Sequence, residues 1–283
     1  MTLRDYDSLS DRVRMHVRAS DECFIIVEGP DDELVLKHHL RNVQFFPAAG
    51  KPNAIVAARE LLRLGISDFA CVTDADFDDL STYADIEDVH YPYEGADLEA
   101  MLIGFGVLSL VLEHQGSTVK LEALGGAGSF VDDLVRRTSP ISRLRAESAR
   151  NHWGIAFDRV DLQRYLRQDT LELKVPEYCL ALHRESLAAV RESDGDEDPI
   201  PHPDVIRESC KDSGAAPGAV SFRGKDVIVF ASTALRRMAG SLRQGAADPE
   251  VLRKQLHSSS GLAISQSIWL VNLKELLGIS PTA

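Results

Sequence analysis

At 283 residues, with 44% hydrophobic and 27% charged side chains, the chain has the balance of a globular protein long enough for one large domain or two ordinary ones. A formal net charge of −13 argues against a protein that coats a polyanion by charge alone, although carboxylates that gather divalent cations lower the same count. No run of about 18 apolar residues occurs, so no membrane-spanning helix is expected. The N-terminal stretch is polar and acidic, unlike a signal peptide, and a cytoplasmic location is the expectation.

Residues 1–20 carry Leu9, Val13 and Val17 at the spacing of one apolar helix face. Cys23–Val27 is then a short continuous apolar run, as expected of a strand buried on both faces of a parallel sheet. It ends at Glu28-Gly29-Pro30, and a helix is expected from about Asp31 to Leu40, with Asp31 and Asp32 at its positive end. A second strand at Val43–Pro47 leads through Gly50-Lys51-Pro52 to Asn53, a candidate cap for a helix over Ala54–Leu64. A third strand, Phe69–Thr73, runs directly into Asp74-Ala75-Asp76-Phe77-Asp78-Asp79. Val89–Tyr93 reads as a fourth short strand, followed by Asp97-Leu98-Glu99 and a helix over Ala100–Leu112.

Alternating strands and helices place residues 21–129 in an α/β class with a parallel sheet flanked by helices. Gly125–Gly128 reads as a flexible turn. From residue 130 to 283 the pattern is mainly helical, over Phe130–Arg137, Arg143–Arg150, Asp161–Leu166 and Pro176–Glu192. The acidic, proline-rich Ser193–Pro203 and the stretch Ser213–Gly218 read as loops, while Val227–Phe230 suits either a strand or a helix. Arg136, Arg137, Arg143, Arg145 and Arg150 make a basic stretch, read either as a solvated helix face or as a nucleic-acid track.

Cys23, Cys71, Cys179 and Cys210 form no Cys-x-x-Cys pair, which leaves neither a zinc ribbon nor a redox motif. Cys23 and Cys71 fit buried small hydrophobes, and Trp153 and Trp269 fit core positions. His38-His39 are read as packing residues and Tyr83, Tyr91 and Tyr93 likewise. No P-loop pattern occurs, so nucleotide hydrolysis is not expected of this chain.

The chemistry-bearing candidates are carboxylates. Ligands in open parallel sheets bind outside the carboxyl ends of the strands, and Glu28 and Asp74 both fall at expected ends. Asp74 and Asp76, two apart, with Asp78 and Asp79 beyond, provide hard oxygens of the kind that Mg²⁺ requires. Such an ion polarises a phosphoryl group and activates water. Glu28 is placed to coordinate as well, or to act as a general acid or base. For each residue alone the plainer reading is helix capping, which is the expectation for Asp31, Asp32 and Asp79.

Val27-Glu28-Gly29-Pro30-Asp31-Asp32-Glu33 and Val72-Thr73-Asp74-Ala75-Asp76-Phe77-Asp78 together resemble the Toprim superfamily of topoisomerases, primases and OLD-family nucleases. They are most similar to the Toprim-like group that contains the nuclease effector of PARIS anti-phage systems. In that group an Asp-(Leu/Ile)-Glu element follows, matched by Asp97-Leu98-Glu99, and a late Gly-(Lys/His)-Asp element is matched by Gly224-Lys225-Asp226. The resemblance is sharp over residues 23–103 and thin beyond.

It implies a Toprim-like core with Glu28 as the catalytic glutamate and Asp74 and Asp76 as ligands of Mg²⁺ or Mn²⁺. Asp78 would be an auxiliary ligand, and Glu99 or Asp97 would complete the acidic cluster. Lys225 would contact phosphate or the transition state, an exposed turn lysine being the plainer reading, and Lys51 has the same two readings. It further implies a dimeric nuclease cutting RNA, tRNA in particular, in anti-phage defence, with an ABC-type ATPase as partner. An OLD-type DNA nickase, a non-catalytic Toprim regulatory module and a small-molecule phosphatase are the competing expectations.

Overall fold

The structure is a computed structural model that describes residues 8–20, 22–192, 199–211 and 221–279. The expectations for residues 1–7, for 193–198 of the acidic loop and for Ser213–Gly218 lie outside the described residues. In chain order the elements are α1 (Leu9–Ala19), β1 (Cys23–Val27), α2 (Pro30–Leu36), β2 (Val43–Pro47), α3 (Lys51–Arg63), β3 (Phe69–Val72) and α4 (Leu98–Gly104). There follow α5 (Val107–Gln115), α6 (Thr118–Ala123), α7 (Gly126–Arg150), α8 (Val175–Glu192) and α9 (Pro203–Ser209). The last helices are α10 (Gly224–Arg237), α11 (Pro249–Ser259), α12 (Gly261–Ser265) and α13 (Ile268–Leu276).

Two compact units result, and each is described by itself. The first takes the residues up to Ala75, Leu80–Phe105 and those from His257 on; the second takes Asp76–Asp79 and Gly106–Leu256.

The first unit is an α/β layer around a three-stranded parallel sheet of order β2-β1-β3. Every residue of β3 and the last four of β1 are buried, which is why these runs are apolar without alternation. Phe24, Ile26, Phe46, Phe69 and Cys71 form one face, under α3 and α1. There Phe24 stacks on Phe69 at 5.1 Å and meets Phe46 edge-on at 5.8 Å, geometries that add to area burial. Ile25 and Val27, both fully buried, point to the opposite face.

Val89–Tyr93, expected as a strand, is an extended segment with a single bridge from His90 to Cys71. It nevertheless pairs with β3 through Cys71 N to Val89 O, Tyr91 N to Cys71 O and Tyr93 N to Thr73 O, at 2.7, 2.9 and 3.0 Å. Several boundaries also move. Asn53 does not cap α3; the helix opens at Lys51 after Gly50, with Ala49 and Gly50 both at positive φ. Pro52 is accommodated in its first turn, where a missing N–H costs nothing. The helix expected over Ala100–Leu112 is two helices, interrupted at Gly106, whose φ of +81° a residue with a Cβ rarely adopts. Cys23 is half-buried, and only Cys71 matches the buried reading.

The second unit is helical. Phe130–Arg137 and Arg143–Arg150 belong to one 25-residue helix, α7, which passes through Pro140. A mid-helix proline costs about 3 kcal/mol. Leu134, Ile141 and Leu144 are fully buried on either side of it and contribute about 1.5–3 kcal/mol each, so packing holds both halves in one helix. Gly125–Gly128 is the cap and first turn of α7 rather than a flexible turn. Val227–Phe230 lies inside α10, and Asp161–Leu166 yields only a 3₁₀ turn over Leu162–Tyr165. Trp153 is half-buried, unlike Trp269 of the first unit, which is core.

Candidate functional site at the strand ends

β1 stops where Gly29 and Pro30 begin α2, with Pro30 at the helix's first position and three acidic residues in its first turn. That stop leaves Glu28 immediately beyond the sheet. Its backbone carbonyl accepts from Gly50 N at 2.9 Å, on the β2 side. Its side chain reaches the other way, and Glu28 Oε1 accepts from Asp74 N at 2.8 Å. The residue is thus fixed from both neighbouring strand ends. Asp74 Oδ1 accepts from Leu98 N at 3.3 Å, which ties the end of β3 to the start of α4.

Tyr93, expected from the sequence only to pack, completes this arrangement. It is 2% exposed and donates its hydroxyl to Asp32 Oδ1 at 2.7 Å, while Asp32 Oδ2 accepts from Gly29 N at 2.8 Å. Asp32 therefore caps the helix, as expected, and also anchors the Glu28–Gly29 turn to Tyr93. Burial, then Asp32, Asp74 and Glu28, push the Tyr93 phenol well above its ordinary value. Three carboxylates thus act on one hydroxyl. The Cys71 thiol is pushed up to about 12 by burial and by Glu28.

Lys51, at the start of α3, extends toward the same turn. Its Nζ lies 3.4 Å from Ala75 O and 5.5 Å from the centre of the Tyr83 ring. Thr73 Oγ1 and His90 Nε2 are 2.9 Å apart, and His90 meets Tyr83 edge-on. Tyr83 is therefore part of the surroundings of the turn.

The Asp97-Leu98-Glu99 element divides its work. Asp97, fully buried, caps α4 by accepting from Ala100 N at 2.7 Å. Leu98 holds Asp74 through its N–H. Glu99, 2% exposed, faces His257 Nε2 at 3.0 Å, 158 positions away. Asp76, with φ of +51°, and Asp78 continue the chain in the stretch grouped with the second unit. Lys225 lies in the first turn of α10, also in the second unit, beside Asp226.

Among the described residues no group of three or more His, Cys, Asp or Glu side chains is arranged to hold a metal ion. Within the first unit the structure brings together Glu28 and Asp74, with Asp32 and Tyr93 linked to the same turn. Mg²⁺ is often held by only one or two carboxylates together with waters and substrate phosphates. A carboxylate has about four lone-pair sites, so acceptance of one N–H does not exhaust it. The hard-oxygen pair at the strand ends fits such an ion chemically.

No protein-family model, no curated protein and no solved structure matches the chain.

Proposed function

We propose that the chain is a Mg²⁺-dependent nuclease whose parallel sheet is a Toprim core, with Glu28 and Asp74 at its centre. The observation that carries the reading is the 2.8 Å bond from Asp74 N to Glu28 Oε1, which fixes two carboxylate residues at the carboxyl ends of adjacent parallel strands. Asp74, with Asp76 and Asp78 following it, would hold the ion, and Glu99 is retained as a ligand only if its contact with His257 is exchanged. When bound, the ion supplies charge neutralisation on the phosphoryl oxygens and an activated water.

Glu28 orients that water or moves a proton at its carboxylate, a role that needs the fixed position its hydrogen bonds provide. Lys51 is within reach of the same turn and suits a phosphate oxygen. Lys225 is proposed on the motif match alone. The resemblance extends the proposal to RNA, tRNA in particular, as the substrate of a dimeric anti-phage effector with a partner ATPase.

Purified protein incubated with tRNA, plasmid and single-stranded DNA, in Mg²⁺ or EDTA, tests this reading. Cleavage of tRNA that requires Mg²⁺ and is lost in Glu28→Gln and Asp74→Asn is the expected result. Cleavage that persists in EDTA or in both variants refutes the site, and nicking of plasmid alone reassigns it to DNA. Mn²⁺ titration followed by electron paramagnetic resonance reads the ion directly, with weakened binding expected in Asp74→Asn.

A further inference from the structure

A cleft of about 580 Å³ opens in the second unit, and none of the residues assigned to the metal-dependent site lines it. Its volume is that of an ordinary small-ligand site. Arg136 and Arg137 of α7, with Arg167 and Lys174 from the segment between α7 and α8, line it against only two carboxylates, Glu172 and Glu177. The lining is net positive in a chain whose formal charge is −13.

The segment that contributes Arg167 is rigidly built. Arg167 N donates to Glu172 O at 3.0 Å and Leu171 N to Arg167 O at 2.8 Å, so the turn closes on itself. Arg137 Nη1 donates to Thr170 O at 2.7 Å and pins the turn to α7. Leu171, fully buried, is held at φ +58°, a strained conformation that persists only where the surroundings impose it. Such strain is a frequent mark of ligand clamps.

Two of the lining cations are poised for exchange. The Arg136 side chain is 72% exposed and pairs with Asp133 at 3.2 Å; that of Arg167 is 59% exposed and lies 3.6 Å from Glu172. Exposed pairs of this kind are weak, because solvent screens them. A phosphate, which takes two parallel N–H bonds from one guanidinium, competes with them effectively. Pro140, Leu173 and Val175 add apolar surface to the lining, which suits a base or a ribose.

We propose that this cleft binds a phosphate ester of nucleotide size, either a free nucleotide or one unit of a single-stranded RNA, with Arg136, Arg167 and Lys174 on the phosphate. The site goes beyond the metal-dependent reading and does not depend on it.

The test is fluorescence anisotropy on the full chain in EDTA, with a labelled adenosine monophosphate and a labelled single-stranded RNA as separate probes. The triple variant R136A/R167A/K174A is compared with wild type, its thermal melt confirming that it folds. A loss of at least tenfold in affinity for both probes supports a nucleotide site, and the same loss for the RNA alone supports a strand site. Arg136→Glu, a single change at an exposed position, is expected to weaken binding at least threefold. No binding by wild type, or equal binding by wild type and triple variant, overturns the proposal. Arg150→Ala, an exposed arginine of α7 outside the lining, is the control: it is expected to bind both probes as wild type does, and a loss in that variant equal to the triple variant's also overturns the proposal.

Discussion

Asp226, the last residue of the Gly-Lys-Asp element, is engaged in a buried ion pair. Its two oxygens accept from Arg145 Nε and Nη2 at 2.8 and 3.0 Å, and the two side chains are only 8% and 12% exposed. Arg145 also lies 4.2 Å from the centre of the Phe157 ring. Replacing Asp226 by Asn preserves shape but leaves a buried guanidinium without its counter-charge, a loss of about 3–5 kcal/mol. For a unit of roughly 150 residues this lowers the melting temperature by about 6–20 °C. Urea and thermal unfolding of Asp226→Asn, Arg145→Met and the double variant R145M/D226N form the assay. Because the pair's attraction roughly offsets its desolvation, the double variant is expected to be at least about 2 kcal/mol more stable than Asp226→Asn. A loss below about 1 kcal/mol in Asp226→Asn, or a double variant as unstable as the two singles added, would refute the reasoning.

Three further outcomes follow from the packing. The phenols of Tyr91, Tyr93 and Tyr178 are all raised, burial being the largest cause in each. The unfolded chain therefore releases these protons first as pH climbs above about 10, and stability falls there. An ultraviolet phenolate titration should show them ionising with unfolding, and Tyr93→Phe should remove one from that late step. A Cβ at Gly116 would meet Leu112 O at 2.7 Å and Ala239 O at 2.9 Å, whereas one at Gly128 in α7 meets nothing within 4 Å. Gly116→Ala is expected to cost about 1–3 kcal/mol and Gly128→Ala to gain up to about 1 kcal/mol, both measured by urea unfolding. Cys179 and Cys210, buried with their sulfurs 3.8 Å apart, should be joined by diamide in the native protein. Peptide mass mapping would show the link, and Cys179→Ser should abolish it.

Local pattern exposed the sheet and the ends of its strands, because burial on both faces leaves an uninterrupted apolar run and a polar residue marks where it stops. Glu28 and Asp74 were legible for that reason. Tyr93 was not: nothing near it in sequence announces Asp32, 61 positions away, and a buried Tyr with a partner reads the same as one without. The Glu99–His257 contact is hidden in the same way by its separation. The basic stretch of α7 misleads for a related reason. Arg143 donates to Cys210 O at 3.0 Å and Arg145 is held by Asp226, so these two charges build the helical unit. Only Arg136 and Arg137 of that stretch reach the cleft. Pro140 misplaced a boundary because its cost is smaller than the packing on either side.

The extended segment beside β3 also limits how this sheet meets other chains. An edge strand presents unpaired backbone groups that recruit foreign strands. Here His90 N is bonded to Ile86 O at 2.9 Å, Pro92 has no N–H to offer, and Pro92 O is taken by Trp269 Nε1 at 3.0 Å. The Tyr91 hydroxyl binds Trp269 O from the other side at 3.0 Å. An aromatic clasp thus blunts that margin against strand addition, and a Trp269→Ala change would bare it, favouring aggregation through edge pairing.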